Sequence, residues 1–482
     1  MIQSIEKSPL YPIVNPRSIA FFGASNRFSA MGTNQLSSLK SLGFQGSVYP
    51  IHPKEKQVLG YEAYRSVLEL PEVPDLAVMV LPTAIVPQTL DECGRKGIKQ
   101  AIVVSGGFNE VGGQGAELEQ KLIDVAQRYG MRFLGPNCLG IANPHHKFNM
   151  TFLPFIGRPG FIGLASQSGS FITQMFGYLG RSGLGFSSGI SVGNEANVDI
   201  VDGMQYLAAC PHTKVIALYI ESIRRGREFM AMARAIVPSK PIVAFYAGGS
   251  EAGQQAGLSH TGAMAGPDAL YDGVFRQCGI IRANSIPELF DFCRVLGSCR
   301  RPRNNRVIVQ THSGGPGAAA ADACGRTGLK LHRLSPDTLE KLADLVPHTG
   351  SVNNPVDLTF SKNPMDYFEA IPNVLLADPA GEGLLIYYLT PTRLIRRSME
   401  NMGFDADQIP KLTEKLFDDQ AASLASLAKK HRKPIIGFTF QSHENLFIQK
   451  LVERGLPVFP SPERAARAMS ALVSYAKILD EH

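Results

Sequence analysis

The sequence predicts an α/β protein built of three doubly wound domains, and three observations carry that expectation. At 482 residues the chain exceeds what one hydrophobic core holds, and roughly three domains of about 150 residues each are expected. Short apolar, β-branched runs alternate with amphipathic stretches along the whole chain, the pattern of a parallel sheet covered on both faces. The alternation falls into three series, and in each a glycine-rich turn follows the first apolar run. A hydrophobic content of 44% against 19% charged residues fits an ordinary folded protein and excludes a disordered or fibrous one.

The first series, assigned to a domain at 1–145, reads as strands at "SIAFFGAS" (18–25), "GSVYPIHP" (46–53), "DLAVMVLP" (75–82), "QAIVVSGG" (100–107) and "RFLGPN" (132–137). Helical patterns at 84–97 and 116–130 lie between them. The second, at 146–299, contains "GFIGLAS" (160–166), "FSSGISVGN" (186–194), "VIALYIES" (215–222) and "PIVAFYAGG" (241–249), and closes on a helix at 286–298. "RRPRNNR" (300–306) reads as a solvated linker because proline and asparagine interrupt its basic residues. The third, at 300–482, contains "RVIVQTHSGG" (306–315), "GLLIYYLTP" (383–391), "PIIGFTF" (434–440) and "LPVFPSPERAARAMSALVSYAKI" (456–478).

A net charge of +6 is mild for this length, and no basic run of the kind that binds nucleic acid occurs. Seven scattered cysteines form no CxxC pair, so neither a zinc knuckle nor a redox pair is expected, and no metal site is assigned. Single thiols fit a reducing compartment. The N-terminus lacks an apolar signal core, and no apolar run approaches the ~18 residues of a membrane span. The expectation is a soluble, cytoplasmic protein.

The three turns carry the candidate chemistry. "GASNRFSAMG" (23–32) follows a strand and opens a helix, where backbone amides and the helix dipole favour an anion. The next strand ends in "YPIHPK" (49–54), with His52 and Lys54 but no acid to hold a ribose diol. That end suits a ribose bearing a phosphate, as in NADP or coenzyme A, or is a polar turn without a ligand; hydride transfer is disfavoured. "ASQSGSF" (165–171) adds the hydroxyls of Ser166, Ser168 and Ser170 to backbone donors around Gly169, as a phosphate site or as a helix cap. "SVGNEANVD" (191–199), with Gly193 and Asn194, is a similar loop after the following strand, and the two are expected to converge. "HSGGPGAAAAD" (312–322) is the most glycine-dense, and Gly314–Gly317 reads either as a bare tight turn or as a second phosphate cradle.

"GLSHTGAMAG" (257–266) places His260 among small residues after the strand of 241–249. A histidine near phosphate-binding helix starts is a general acid or base, or a nucleophile that takes a phosphoryl group. A nucleophilic imidazole needs its second nitrogen held, usually by a carboxylate. Glu221, at the end of the apolar run "LYIES", is the candidate, the alternative being a solvated strand end.

At these residues the chain resembles the α-type portion of the NDP-forming acyl-CoA synthetases, the ADP-forming acetate–CoA ligase branch, which is similar to the succinyl-CoA synthetase α subunit. "SIAFFGASNR", "YPIHPKEKQVLGYEAY", "VVSGGFNEVG" and "FLGPNCLGIANP" resemble its Rossmann-like CoA-binding domain. "ASQSGS", "SVGNEANVD", "YIES" and "GLSHTGAMAG" resemble its flavodoxin-like ligase domain, and "SGGPGAAAADA" with "NNPVDL" its second flavodoxin-like domain. The resemblance implies that His260 is the phosphorylated histidine and Glu221 the carboxylate that steadies it. It places Ser166, Ser168, Gly169, Ser170, Gly193 and Asn194 around the phosphate, and Gly23, Ala24, Ser25, Asn26, Lys54, Ser105, Gly106 and Asn137 against CoA. His52 stands where the family commonly has asparagine, and Phe360 where it often has glycine.

The implied reaction is reversible: carboxylic acid, CoA and ATP give acyl-CoA, ADP and phosphate through an acyl phosphate and phosphohistidine. Family members work with an ATP-grasp module, and no stretch here resembles one. A separate β subunit is therefore expected as partner in a hetero-oligomer, holding most of the contacts to ATP and Mg²⁺. Two rivals stand beside this reading: a CoA- or acyl-CoA-sensing regulatory protein on the same fold, and an NADP-dependent dehydrogenase. The first is disfavoured by the presence of both His260 and Glu221.

Overall fold

The computed structural model describes residues 4–27, 29–253, 255, 266–359, 363–390, 392–442 and 444–481. The chain forms two compact units, Met1–Leu289 and Phe290–His482.

The first unit holds two sheets. In one, β1 (Ser18–Phe22), β2 (Ser47–Ile51), β5 (Leu76–Met79), β6 (Gln100–Val103) and β7 (Arg132–Leu134) run parallel in the order β2-β1-β5-β6-β7. A hairpin of β3 (Gln57–Val58) and β4 (Tyr61–Glu62) lies between β2 and β5 in sequence. All five residues of β1 are buried, so an uninterrupted apolar run forms the strand here instead of an alternating one. Ile19 lies in register between Val48 and Leu76.

The other sheet has seven strands in the order β14-β13-β12-β10-β11-β8-β9. Its parallel part is β10 (Ile162–Ser166), β11 (Phe186–Ser191), β12 (Val215–Ile220), β13 (Ile242–Tyr246) and β14 (Ile281–Ala283). β8 (Ile141–Asn143) and β9 (Phe148–Asn149) extend it antiparallel, so residues 141–143, inside the 1–145 segment, hydrogen-bond into the second sheet. β11 is half serine yet wholly buried. It is tolerated because its hydroxyls are paired: Ser187 with Thr213 at 2.7 Å, and Ser188 with the Ser187 carbonyl at 2.8 Å.

The second unit repeats the design. β15 (Arg306–Thr311), β16 (Lys330–Leu331), β18 (Gly383–Tyr387), β19 (Ile435–Phe438) and β20 (Val458–Phe459) take the order β16-β15-β18-β19-β20, with β17 (Val356–Asp357) paired to the end of β15. Successive residues alternate between two cores. Ile308, Leu384, Ile386 and Ile435 pack on one face, and Val307, Val309, Leu385 and Ile436 on the other. Both faces are therefore covered. The helix Ile286–Ser298, expected to close the second segment, sends Val295 into the second of these cores, and its Asp291 takes both oxygens to Arg464 at 2.7 Å.

Numbered by appearance within each series, with β17 left aside, all three parallel arrangements read 2-1-3-4-5. Each growth direction reverses beside its first strand, and such a switch point opens a crevice at the carboxyl ends of the strands. Among the described residues no helix is long and apolar enough to cross a membrane.

Candidate functional site

The first crevice is framed by β1 and its turn. Gly23 sits at φ +94, and a Cβ there would meet the Val80 carbonyl oxygen at 1.9 Å, so only glycine fits. Ala24 is buried. The Ser25 amide donates to Thr33 Oγ1 (3.0 Å), which returns its proton to the Ser25 carbonyl (2.9 Å). The helix Met31–Leu42 then starts from Ala30 with no side-chain cap, leaving its first amides to a ligand or water. Asn26 is tied down: it donates to the Gln57 carbonyl (2.9 Å) and accepts from the Leu59 amide (3.1 Å). His52 Nδ1 accepts from the Lys54 (3.2 Å) and Glu55 (2.8 Å) amides, so the imidazole closes the turn that presents the exposed Lys54.

Farther along the same sheet edge, the Ser105 hydroxyl donates to the Leu81 carbonyl (2.6 Å) and accepts from the Leu81 amide (3.1 Å). A Cβ on Gly106 would crowd Glu110 Oε1 at 3.2 Å and Asn137 Oδ1 at 3.3 Å. Asn137, at φ +56, donates its amide to the Ser105 carbonyl (2.8 Å).

The second crevice lies where β10 and β12 end. The Ser166 hydroxyl donates to the Ser168 carbonyl (2.7 Å), bending the chain into the helix Gly169–Arg181. Ser168 is its N-cap without a side-chain bond, and Ser170 is exposed. A Cβ on Gly169 would press on the Leu139 amide nitrogen at 2.9 Å. Glu221 follows β12 directly and is partly exposed.

One residue absent from the sequence-derived set ties these loops together. Gln167 Oε1 accepts the amides of Glu221 (2.5 Å) and Ser222 (3.0 Å). Its Nε2 donates to the Ser222 carbonyl (2.8 Å) and to Glu195 Oε2 (2.7 Å). The other Glu195 oxygen accepts from the Ile200 amide (2.8 Å), and the Arg224 guanidinium stands 4.0 Å from Oε2. Burial pushes the Glu195 carboxyl up to about 7, against the Gln167 and Ile200 donors that favour its charge. Next to it, burial opposes charge on Asp199, yet Arg225 and the Asp202 and Val201 amides hold that carboxyl below its ordinary range.

The 192–198 loop also zips onto the first sheet. Val192 accepts from the Gly135 amide, and Val198 donates to the Phe133 carbonyl (both 3.2 Å). Gly193, at φ +59, brings its backbone so close that a Cβ would lie 2.3 Å from the Pro136 carbonyl oxygen. Asn194 spends its side chain there: it accepts from Asn137 (3.3 Å) and donates to Glu110 (2.6 Å) and Glu119 (3.0 Å). Residues assigned to CoA (Ser105, Asn137) and to phosphate (Ser168, Asn194, Glu221) thus belong to one connected network. Gly23, Ala24, Ser25, Asn26 and Lys54 stand at the β1–β2 end of the first sheet. His260 and its neighbours 256–265 lie outside the described residues, as does Phe360. Beyond them in the chain, Gly266 is anchored: Tyr246 stacks on Tyr271 at 3.7 Å and donates to the Gly266 carbonyl (2.8 Å).

In the second unit, Thr311 Oγ1 donates to the Ser313 carbonyl (2.9 Å), the same bend as Ser166 to Ser168. His312, in the position of Gln167, stacks on Tyr367 at 3.5 Å, and burial lowers its imidazole to about 4. The helix Gly314–Arg326 begins there, with the Asp357 carboxylate 3.8 Å from where a Gly314 Cβ would stand. Sequence reasoning singled out the small residues of each turn. It missed Gln167 and Glu195 because the signal is a spatial pairing of residues 28 positions apart. No cluster of metal-ligating side chains occurs among the described residues.

Three family models match in order: a CoA binding domain over 17–144, a succinyl-CoA ligase like flavodoxin domain over 159–296, and a ligase-CoA domain over 307–405. The α subunit of acetate–CoA ligase [ADP-forming] II from Pyrococcus furiosus is 37% identical over 465 residues, covering 96% of this chain and 97% of that protein. The 4-hydroxybutyrate–CoA ligase [ADP-forming] of Nitrosopumilus maritimus is 32% identical over 96% of this chain, which spans 64% of that longer protein. A dinucleotide forming acetyl-coenzyme A synthetase 1 from Ca. Korarchaeum cryptofilum, solved with phosphate and ADP, superposes with a TM-score of 0.85 at 33% identity, covering 98% of this chain and 97% of that one. Three crevices of one topology, matched over nearly the full length by these ligases, establish that the chain belongs to the ADP-forming acetate–CoA ligase family, as an α-type subunit akin to that of succinyl-CoA ligase.

Proposed function

We propose that this chain carries the acyl-transfer half of an ADP-forming acyl-CoA synthetase, with His260 as the phosphorylated residue and Glu221 as the carboxylate that holds its second ring nitrogen. The observation that supports this most directly is the Gln167 bridge, which sets the Glu221 backbone beside the uncapped helix start at Ser168–Ser170. An imidazole held by a carboxylate keeps one nitrogen free as nucleophile. Helix-start amides stabilise the charge of the phosphoryl group during transfer.

In the synthetic direction, His260 takes the γ-phosphoryl group of ATP and ADP leaves. A carboxylate oxygen of the acid then attacks phosphorus and the P–N bond breaks, giving an acyl phosphate and free imidazole. The CoA thiol, losing its proton, attacks the acyl carbon and releases phosphate. Gly23, Ala24, Ser25, Asn26, Lys54, Ser105, Gly106 and Asn137 frame the CoA side, where the uncapped start of Met31–Leu42 offers amides to its phosphates. Names of relatives as α subunits point to a separate partner chain. We assign the ATP-grasp fold, the nucleotide and Mg²⁺ to that partner, and the reaction to the cytoplasm. The relatives named for acetate and 4-hydroxybutyrate make small carboxylic acids the substrate class to test first.

The test is covalent labelling. With acetyl-CoA and radioactive inorganic phosphate, the wild-type chain is expected to acquire base-stable, acid-labile label, His260→Ala none, and Glu221→Gln label at a rate lower by about 10²-fold. Tight CoA binding without label on the wild type would instead favour a CoA sensor.

A further inference from the structure

From the hydrogen-bond geometry we infer that Gln167 and Glu195 form a positioning pair for Glu221, and that the ionised carboxylate of Glu195 is the state that holds Glu221 in place. The inference rests on the assignment of Glu221 to the phosphohistidine site and adds two residues to it.

The argument is one of donor and acceptor complementarity. Gln167 crosses the floor of the second crevice from the end of β10 to the end of β12. Its carbonyl oxygen faces two amides, so its amino group must point the other way, toward Glu195 and the Ser222 carbonyl. An ionised carboxylate accepts from both Gln167 and Ile200. A protonated one is a weaker acceptor and carries a hydrogen on an oxygen that already faces a donor, so at least one of those bonds is weakened. A Gln167 side chain freed to rotate would turn its amino group onto the Glu221 and Ser222 amides, donor against donor. The charge on Glu195 therefore fixes the rotamer of Gln167, and Gln167 fixes the backbone of Glu221.

The groups around Glu195 suit such a titration. Asp199, on the same loop, disfavours its charge and Arg224, past the end of β12, favours it, while Tyr271, on the helix Asp268–Gln277, is raised by burial and stays a neutral phenol where Glu195 titrates. Its backbone is pinned at φ +56 and its side chain is 2% exposed, so it cannot swing to solvent without breaking the loop.

The experiment compares initial rates of phosphate labelling, from acetyl-CoA and radioactive inorganic phosphate, for the wild type and Glu195→Gln across pH. Taking the ratio at each pH cancels the titration of His260, CoA and phosphate. Because the variant mimics a permanently protonated Glu195, the ratio should be near one at about pH 5.5 and rise to about tenfold by about pH 8.5. A ratio that is constant with pH overturns the inference, since a merely structural loss has no reason to follow the ionisation of one carboxyl.

The exchanged pair, Gln167→Glu with Glu195→Gln, provides a second measurement, made on protein shown to be folded by circular dichroism. It restores a donor opposite an acceptor, and should recover activity relative to Gln167→Glu alone at about pH 8, where two carboxylates would otherwise face each other. No recovery overturns the pairing. A wild type that takes no label overturns this inference together with the function it rests on, whereas a labelled wild type with a flat ratio overturns the pair alone.

Discussion

At the scale of single residues, His52 shows how a departure from a family pattern is absorbed. Its Nδ1 does the work of an asparagine side-chain oxygen, accepting two successive amides of the turn that carries Lys54. His52→Asn should therefore keep the CoA KM within about twofold, while His52→Ala, which leaves both amides without that acceptor, should raise it several-fold. Steady-state kinetics at varied CoA checks both. Glu195 makes a second residue-scale prediction, on stability. Its folded carboxyl titrates at about 7 against an ordinary 4.5. A carboxyl raised on folding binds its proton more tightly in the native state, so stability is highest below the unfolded value and declines as pH rises through the folded one. At 1.36 kcal/mol per unit the decline is about 3 kcal/mol. Glu195→Gln removes it, so denaturant melts should show the variant gaining on the wild type from about pH 4.5 to about pH 7.5. Labelling activity should move in the opposite direction, from about pH 5.5 to about pH 8.5, separating the role in the site from the role in the fold.

At the scale of elements, the recurring unit is a strand that ends in a hydroxyl residue, bends, and opens a helix on small residues. Ser166 and Thr311 make the same hydrogen bond two residues ahead, and both helices start at an uncapped serine. These turns were legible in the sequence because glycine and serine mark them locally. What occupies the position after the hydroxyl was not: Gln167 binds across the crevice, whereas His312 stacks on a tyrosine. The first turn allows a direct test of steric need. Gly23→Ala would drive a methyl into the Val80 carbonyl, whereas Gly43, also at positive φ (+79), meets nothing within 4 Å. Gly43→Ala should cost about 1 kcal/mol, and Gly23→Ala several times that, read as a fall in Tm or loss of soluble protein.

At the scale of the whole molecule, three sheets share one order of parallel strands, and every candidate site residue among the described ones lies at or beyond the carboxyl ends of those strands. The second unit begins before the Arg/Pro linker that the sequence offered as its boundary. A fragment of residues 284–482 should accordingly melt higher than 300–482, which lacks Val295 and the Asp291 partner of Arg464; circular dichroism melts of the two would show it. By itself the sequence determined the α/β class, the three series and the turns after each first strand, because apolar periodicity and glycine act within a few residues. It could not determine that β8 leaves the first series for the second sheet, or that Asn194 serves Glu110 and Glu119. Nor could it show that Gln167 and Glu195 join two loops around Glu221. Those follow from pairings of residues far apart in the chain, where burial makes each polar group find its partner in space, and only the tertiary structure supplies that space.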